Sequence, residues 1–176
     1  MLLFLGALMK NVTLIGMPGA GKSTIGVLLA KKLGYAFHDT DITLQVQQGK
    51  TLSALIAEIG GEAVMDLESQ LISSLNVERQ VIATGGSAVF GRSGMKNLQQ
   101  ISDIVYLKVS LEELCDRVED LQTRGVILNG CSNLEELFFQ RVPLYEKYAQ
   151  IIIDCDGKTA QQCVDEICGC LKEKKQ

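Results

Sequence analysis

Short apolar runs alternate along the chain with segments whose apolar residues recur at helical spacing. Residues 12–15 (VTLI) form a run rich in β-branched side chains, followed by a glycine-rich turn and then by residues 25–32, apolar along one helix face. A second apolar and aromatic run, 35–38, ends in Asp39-Thr40-Asp41 and reads as a strand closing on two carboxylates. Residues 42–48 and 52–59 have helical spacing, with Thr51 placed to cap the second. Gly60-Gly61 interrupts the pattern, and 62–76 resumes it with Val64, Leu67, Leu71, Ile72 and Leu75 along one side. Strands are predicted at 80–84, running into Gly85-Gly86-Ser87, and at 104–109, with no element assigned between them. A helix over 111–118 opens on Ser110 with Glu113 three residues later, the pattern of a capping box. Residues 120–132 have no period and carry Arg124, 134–149 are helical on both sides of Pro143, 151–154 form a last strand, and 159–172 a closing helix. Strands without polar alternation, separated by helices, predict an α/β fold of three layers with about five parallel strands covered on both faces. A single doubly wound domain over residues 10–172 is expected.

Composition narrows the functional classes. A chain of 176 residues with 47% hydrophobic and 22% charged residues has the make-up of one globular domain with a real core. Its net charge of −4 argues against a nucleic-acid partner, which calls for a basic field. Six cysteines invite a zinc or disulfide reading, but there is no CxxC pair and His38 is the one histidine. Free, mostly buried thiols in a reducing cytoplasm are expected instead. Residues 1–9 are apolar yet too short to span a bilayer, and lack the features of a signal peptide. They read as an extension or an upstream start, and the protein as cytoplasmic, monomeric and without a membrane partner.

The chemistry concentrates in Gly16-Met17-Pro18-Gly19-Ala20-Gly21-Lys22-Ser23-Thr24, a GxxxxGK[ST] pattern set between the first strand and the first helix. Glycines let the backbone turn tightly enough for successive N–H groups to point into one hollow, which cradles phosphate oxygens. The helix starting near Gly21 adds unpaired N–H groups and the positive end of its dipole. Lys22 is placed to reach the β- and γ-phosphates of ATP, and the Ser23 hydroxyl to ligate Mg²⁺. In a doubly wound sheet ligands sit at the carboxyl ends of the strands, so Asp39-Thr40-Asp41 and Thr84-Gly85-Gly86-Ser87 converge on the same place. One aspartate can then face a metal and the other a substrate, or the pair can simply cap the next helix.

Five motifs in order, Gly16 to Thr24, Phe37-x-Asp39-Thr40-Asp41, Thr84-Gly85-Gly86, residues 124–128 (RGVIL) and residues 141–145 (RVPLY), give the chain a clear resemblance to shikimate kinases from about Lys10 to the last helix. The resemblance implies a nucleoside-monophosphate-kinase-like fold, a substrate-binding region over 38–76 and a lid over 119–133. It implies transfer of the ATP γ-phosphoryl group to a ring hydroxyl of shikimate. Ser23 and Asp39 then become the Mg²⁺ partners, and Asp41 orients the attacked hydroxyl. Gly85 and Gly86 meet the acceptor through the backbone, Arg124 approaches the phosphates as the lid closes, Arg141 takes the acceptor carboxylate, and Arg117 lies near the adenine.

The departures from that pattern concern the acceptor. Aligned without gaps, the phenylalanine–arginine pair of shikimate kinases falls on Val64-Met65, and in the alternative register on Met65-Asp66, so no arginine stands there. Ser87 replaces a third glycine, Gln45 a glutamate, while Glu68 matches an acidic position. Met65 is therefore expected on the acceptor wall. The expected activity is a shikimate kinase, with two alternatives: a kinase of another small hydroxy-acid such as homoserine, and a nucleotide-binding module without turnover.

Overall fold

Branched apolar runs too short for helices become strands, and because a crossover helix separates each from the next they pair in parallel. In the computed structural model, which describes residues 10–117 and 125–174, one five-stranded parallel sheet has the order β2-β3-β1-β4-β5. Its strands are β1 (Asn11–Ile15), β2 (Ala36–Asp39), β3 (Gln80–Ala83), β4 (Ser102–Lys108) and β5 (Ile151–Asp154). The helices are α1 (Lys22–Leu33), α2 (Thr40–Gln48), α3 (Leu52–Ile59), α4 (Gly61–Ser73), α5 (Arg92–Ile101), α6 (Leu111–Arg117), α7 (Leu134–Tyr148) and α8 (Ala160–Glu173). The step from β1 to β2 runs one way along the sheet, and the steps from β2 to β3 and β3 to β4 run the other. Right-handed crossovers therefore put α1 on one face and α4 and α5 on the opposite one. The packing agrees: α1 pairs with α8, and α4 with α5.

The main core fills the space around the sheet and includes Leu14, Ile82, Val105, Met95 and Ile167. A smaller apolar cluster of Leu44, Leu55, Val64, Leu71 and Ile127 joins α2, α3 and α4 to the segment after residue 124. Two expectations need correction. Helix α5 was not read from the sequence; it follows Gly91 with no side-chain cap, yet it buries Gly94, Met95 and Leu98. Gly94 lets it approach closely, because a Cβ there would stand 3.1 Å from Ile72. The strands are also not all covered on both faces. Central β1 is buried throughout, whereas edge strand β5 alternates, with Ile152 49% exposed. The cysteines are free, with Cys155, Cys163 and Cys168 buried, Cys131 and Cys170 half-buried and Cys115 exposed. Among the described residues no helix is long and apolar enough to cross a membrane. The expectations for residues 1–9, for Arg124 and for the first part of the 119–133 segment lie outside the described residues.

Candidate active site

The loop between β1 and α1 takes the conformation its glycines allow. Gly16, Gly19 and Gly21 have φ of 149°, 83° and 88°, where a side chain would be strained. Gly16 is fixed further, since a Cβ on it would stand 2.8 Å from the Leu107 carbonyl oxygen of β4. The Lys22 ammonium donates to the Gly16 and Met17 carbonyls, both at 2.9 Å, and so clasps the loop from within. Burial pulls Lys22 down to about 8, opposed by the Asp41 carboxylate and reinforced by the Arg141 charge. Arg117 reaches the same loop from α6: it pairs with Glu113 and donates to the Gly19 carbonyl at 3.5 Å.

Asp39, the last residue of β2, has two attachments. Its Oδ1 accepts from the backbone N–H groups of Asp41 (3.0 Å) and Ile42 (3.3 Å), capping α2. Its Oδ2 accepts from the Ser23 hydroxyl at 2.7 Å. The capping and ligand readings of Asp39 are thus compatible, since each uses a different oxygen. Ser23 and Asp39 offer two hard oxygen donors side by side at the mouth of the phosphate loop. That fits Mg²⁺, which keeps several waters and phosphate oxygens and needs few protein ligands. No group of three or more His, Cys, Asp or Glu side chains poised for a metal occurs among the described residues.

A cavity of about 570 Å³ runs from this loop to the region between α4 and α7, and Gly19, Lys22, Asp41, Gly86, Arg117 and Arg141 are among its lining. Asp41, at the start of α2, is pushed up to about 6 by burial, with Lys22 opposing and Asp39 adding to the rise. Arg141, only 1% exposed, donates to the Ile127 carbonyl and lies 5.7 Å from the Phe90 ring centroid. It stands so close to Gly86 that a Cβ there would lie 2.7 Å from Nη1. The Tyr145 hydroxyl donates to the Gly86 carbonyl at 2.7 Å, and the Tyr145 ring stacks on Tyr106 at 5.2 Å. Ala20, buried inside the loop, packs with the core rather than facing the cavity, while Thr24 lines it.

The structure thus gathers the phosphate loop, Asp39, Asp41, Gly85, Gly86, Arg117 and Arg141 into one cleft at the carboxyl ends of the strands. Met65 is the exception. It packs against the small apolar cluster, and the cavity wall from α4 is formed by Val64 and Glu68 instead. Residues 64 and 68 share one helix face, whereas residue 65 is rotated about 100° from residue 64. Sequence reading did not assign Glu68 or Ser87 a role in the site. Glu68 is 3% exposed and accepts from the Ser87 hydroxyl at 2.7 Å. Burial, then the Asp41 charge, push it up to about 7, with Ser87, Arg141 and the Gly85 backbone opposing. The signal was a single acidic residue inside the apolar stripe of α4, between Val64 and Leu71.

Likeness to known proteins agrees with this geometry. The family model described as shikimate kinase matches residues 18–172. A shikimate kinase from Thermodesulfovibrio yellowstonii is 35% identical over 162 residues, covering 90% of this chain and 93% of that one. One from Persephonella marina is 32% identical over 165 residues, covering 93% and 100%. Among solved structures, a shikimate kinase from Acinetobacter baumannii in complex with shikimate superposes with a TM-score of 0.86 at 28% identity, covering 95% of both chains.

Proposed function

The chain belongs to the shikimate kinase family, and from that premise we propose that it transfers the γ-phosphoryl group of ATP to a hydroxyl of shikimate. The observation that carries the proposal is the single cleft in which the Lys22 loop, the Ser23–Asp39 pair, Asp41 and Arg141 meet. Nothing in the family relationship favours homoserine as acceptor or a module without turnover.

In this reading the glycine-rich loop, with Gly16, Gly19, Gly21 and Thr24, binds the phosphates through backbone N–H groups, while the Ala20 N–H closes the loop onto the Met17 carbonyl at 3.1 Å. Lys22 supplies a positive charge already desolvated and aimed along the loop, so little rearrangement is needed as charge develops on the phosphoryl oxygens. Ser23 and Asp39 hold Mg²⁺, which when bound neutralises negative charge on the transferring group. Asp41 accepts a hydrogen bond from the attacked hydroxyl, orients it and takes its proton; a carboxyl lifted to about 6 is a stronger base than an ordinary aspartate. Arg141 pairs with the acceptor carboxylate, and the backbone at Gly85 and Gly86 closes the acceptor side. Arg117 lies beside the adenine, Arg124 joins the phosphates, residues 38–76 form the acceptor region and residues 119–133 the lid.

The test is a coupled ADP-release assay with Mg²⁺ and ATP against shikimate, homoserine and a panel of small hydroxy-acids. Saturable turnover on shikimate, with no comparable rate on the others, is the expected result. Turnover on another alcohol and none on shikimate would overturn the proposal.

A further inference from the structure

Two carboxylates fasten α6 to the turn between β5 and α8, one from each side. Asp156, in the turn, accepts from the Ser110 backbone N–H at 2.8 Å, just ahead of α6. Glu113, in the first turn of α6, accepts from the Gly157 backbone N–H at 3.2 Å through Oε2. A capping box would have sent the Glu113 carboxylate back to the Ser110 N–H. Only half of that box forms: the Ser110 hydroxyl accepts from the Glu113 N–H at 3.3 Å. Asp156 takes the other donor, which releases Glu113 to serve Gly157 with one oxygen and Arg117 with the other.

The consequence falls on Arg117, on the wall of the 570 Å³ cavity. Its Nη2 pairs with Glu113 Oε1, and its Nη1 donates to the Gly19 carbonyl of the phosphate loop at 3.5 Å. The Asp156 carboxyl senses the same guanidinium: burial, which raises it, is outweighed by bonds from Ser110 and Glu113 and by the Arg117 charge, and it lies below its ordinary value. An arginine that grips phosphate presents its N–H fork to the oxygens. In Arg117 the fork is engaged by a carboxylate and a carbonyl, and two acidic neighbours offset its charge. What such a group offers a ligand is its flat face, on which an aromatic ring stacks.

We infer that Glu113 is a positioning residue for the nucleotide: it keeps the N–H fork of Arg117 off the phosphates and holds its face for the nucleobase, in fixed relation to residues 155–158. The inference rests on the proposed use of ATP and adds to it the group that decides which part of the nucleotide Arg117 meets. Glu113 acts through Arg117 and through the Gly157 backbone, not on the reacting atoms.

The experiment uses the full-length chain with Mg²⁺ and compares ATP with inorganic tripolyphosphate, which carries the phosphate chain without a base. Titration calorimetry gives Kd for both ligands, and steady-state kinetics give kcat and both KM values, in the parent, Glu113→Gln, Arg117→Ala and the double variant. Glutamine still accepts from Gly157 but no longer pairs with the guanidinium as an ion. Glu113→Gln should weaken ATP roughly threefold to tenfold, on the scale of a partly buried ion pair, and leave tripolyphosphate as tight or tighter. Its kcat at saturating ATP and its shikimate KM should stay within about twofold of the parent, since only ground-state binding of the base is lost. The double variant should bind ATP no worse than Arg117→Ala, because the two residues act as one unit. A Glu113 that merely braced the fold would weaken both ligands alike. Equal losses on ATP and tripolyphosphate, additive losses in the double variant, or unchanged ATP binding in Glu113→Gln would each overturn the inference. Arg117→Ala weakening tripolyphosphate as much as ATP would overturn it too, by placing the arginine on the phosphates. ATP binding that follows the expected pattern without turnover on shikimate would overturn the proposed reaction and uphold the inference.

Discussion

Replacing Glu68 by glutamine should stabilise the protein at alkaline pH and do so less at acid pH. Its carboxyl is raised from 4.5 to about 7, chiefly by burial and next by the Asp41 charge. A carboxyl whose folded value lies above its unfolded one contributes stability that is fully present below the unfolded value. That stability is lost as pH rises through the folded value. With 1.36 kcal/mol per unit, the parent gives up on the order of 3 kcal/mol by pH 8, and under about 1 kcal/mol by pH 5. Glutamine has nearly the same shape, can still accept from Ser87 and has no charge to desolvate. Repulsion from the Asp41 charge is part of the Glu68 rise and is relieved in the variant, which acts in the same direction. The difference between variant and parent should therefore grow by roughly 2–3 kcal/mol from pH 5 to pH 8. For a chain of this size that is a Tm change of roughly 5–10 °C. Paired thermal melts at the two pH values, without ligands, measure it. A stability difference that is the same at both pH values, or that shifts in the opposite direction, would refute the assignment of a desolvated carboxyl at this position.

Three other outcomes are expected. Lys22→Met should abolish turnover while circular dichroism and the melting profile show a folded protein; an unchanged kcat would remove Lys22 from the chemistry. Arg124→Ala should lower kcat more than it weakens ATP binding, approaching the roughly 10³-fold lower bound for arginine fingers, and an effect confined to the KM for ATP would exclude that role. Gly86→Ala places a Cβ 2.7 Å from Arg141 Nη1 and 3.2 Å from Pro18 Cδ, so the shikimate KM should rise at least about tenfold on the scale of one lost charged hydrogen bond; kinetics indistinguishable from the parent would mean that Arg141 does not meet the acceptor.

The phosphate loop was legible because its chemistry is local. Only glycine tolerates the backbone at Gly19 and Gly21, and only a helix start supplies the N–H groups, so loop and function share one short string. Parallel pairing was equally readable, from apolar strands separated by helices. Helix α5 was not, because it follows Gly91 without a capping side chain and Gly94 interrupts it, although Met95, Leu98 and Ile101 have the right spacing. Met65 was expected on the cavity wall and lies off it for a different reason. Alignment along a helix carries position but not rotation, and the small cluster around Leu44 and Ile127 takes up Met65 while Val64 and Glu68 turn to the cavity. The link between Glu68 and Ser87 joins two elements with no mutual trace in the linear order.

Helix α7 carries both the guanidinium that adjoins Gly86 and the phenol that holds the Gly86 carbonyl, Arg141 and Tyr145 being about one turn apart. Pro143 between them removes one backbone donor without ending the helix. The Gly85-Gly86 loop thus takes its placement from a rod that also bears Arg141, and the two cannot drift independently. Transplanting the loop alone into a related scaffold would lose its register, whereas transplanting it with this turn of helix would preserve it. Divergence toward new acceptors is accordingly expected on α4, which can be exchanged piecemeal, while the turn from Arg141 to Tyr145 and the Gly85-Gly86 backbone change together or not at all.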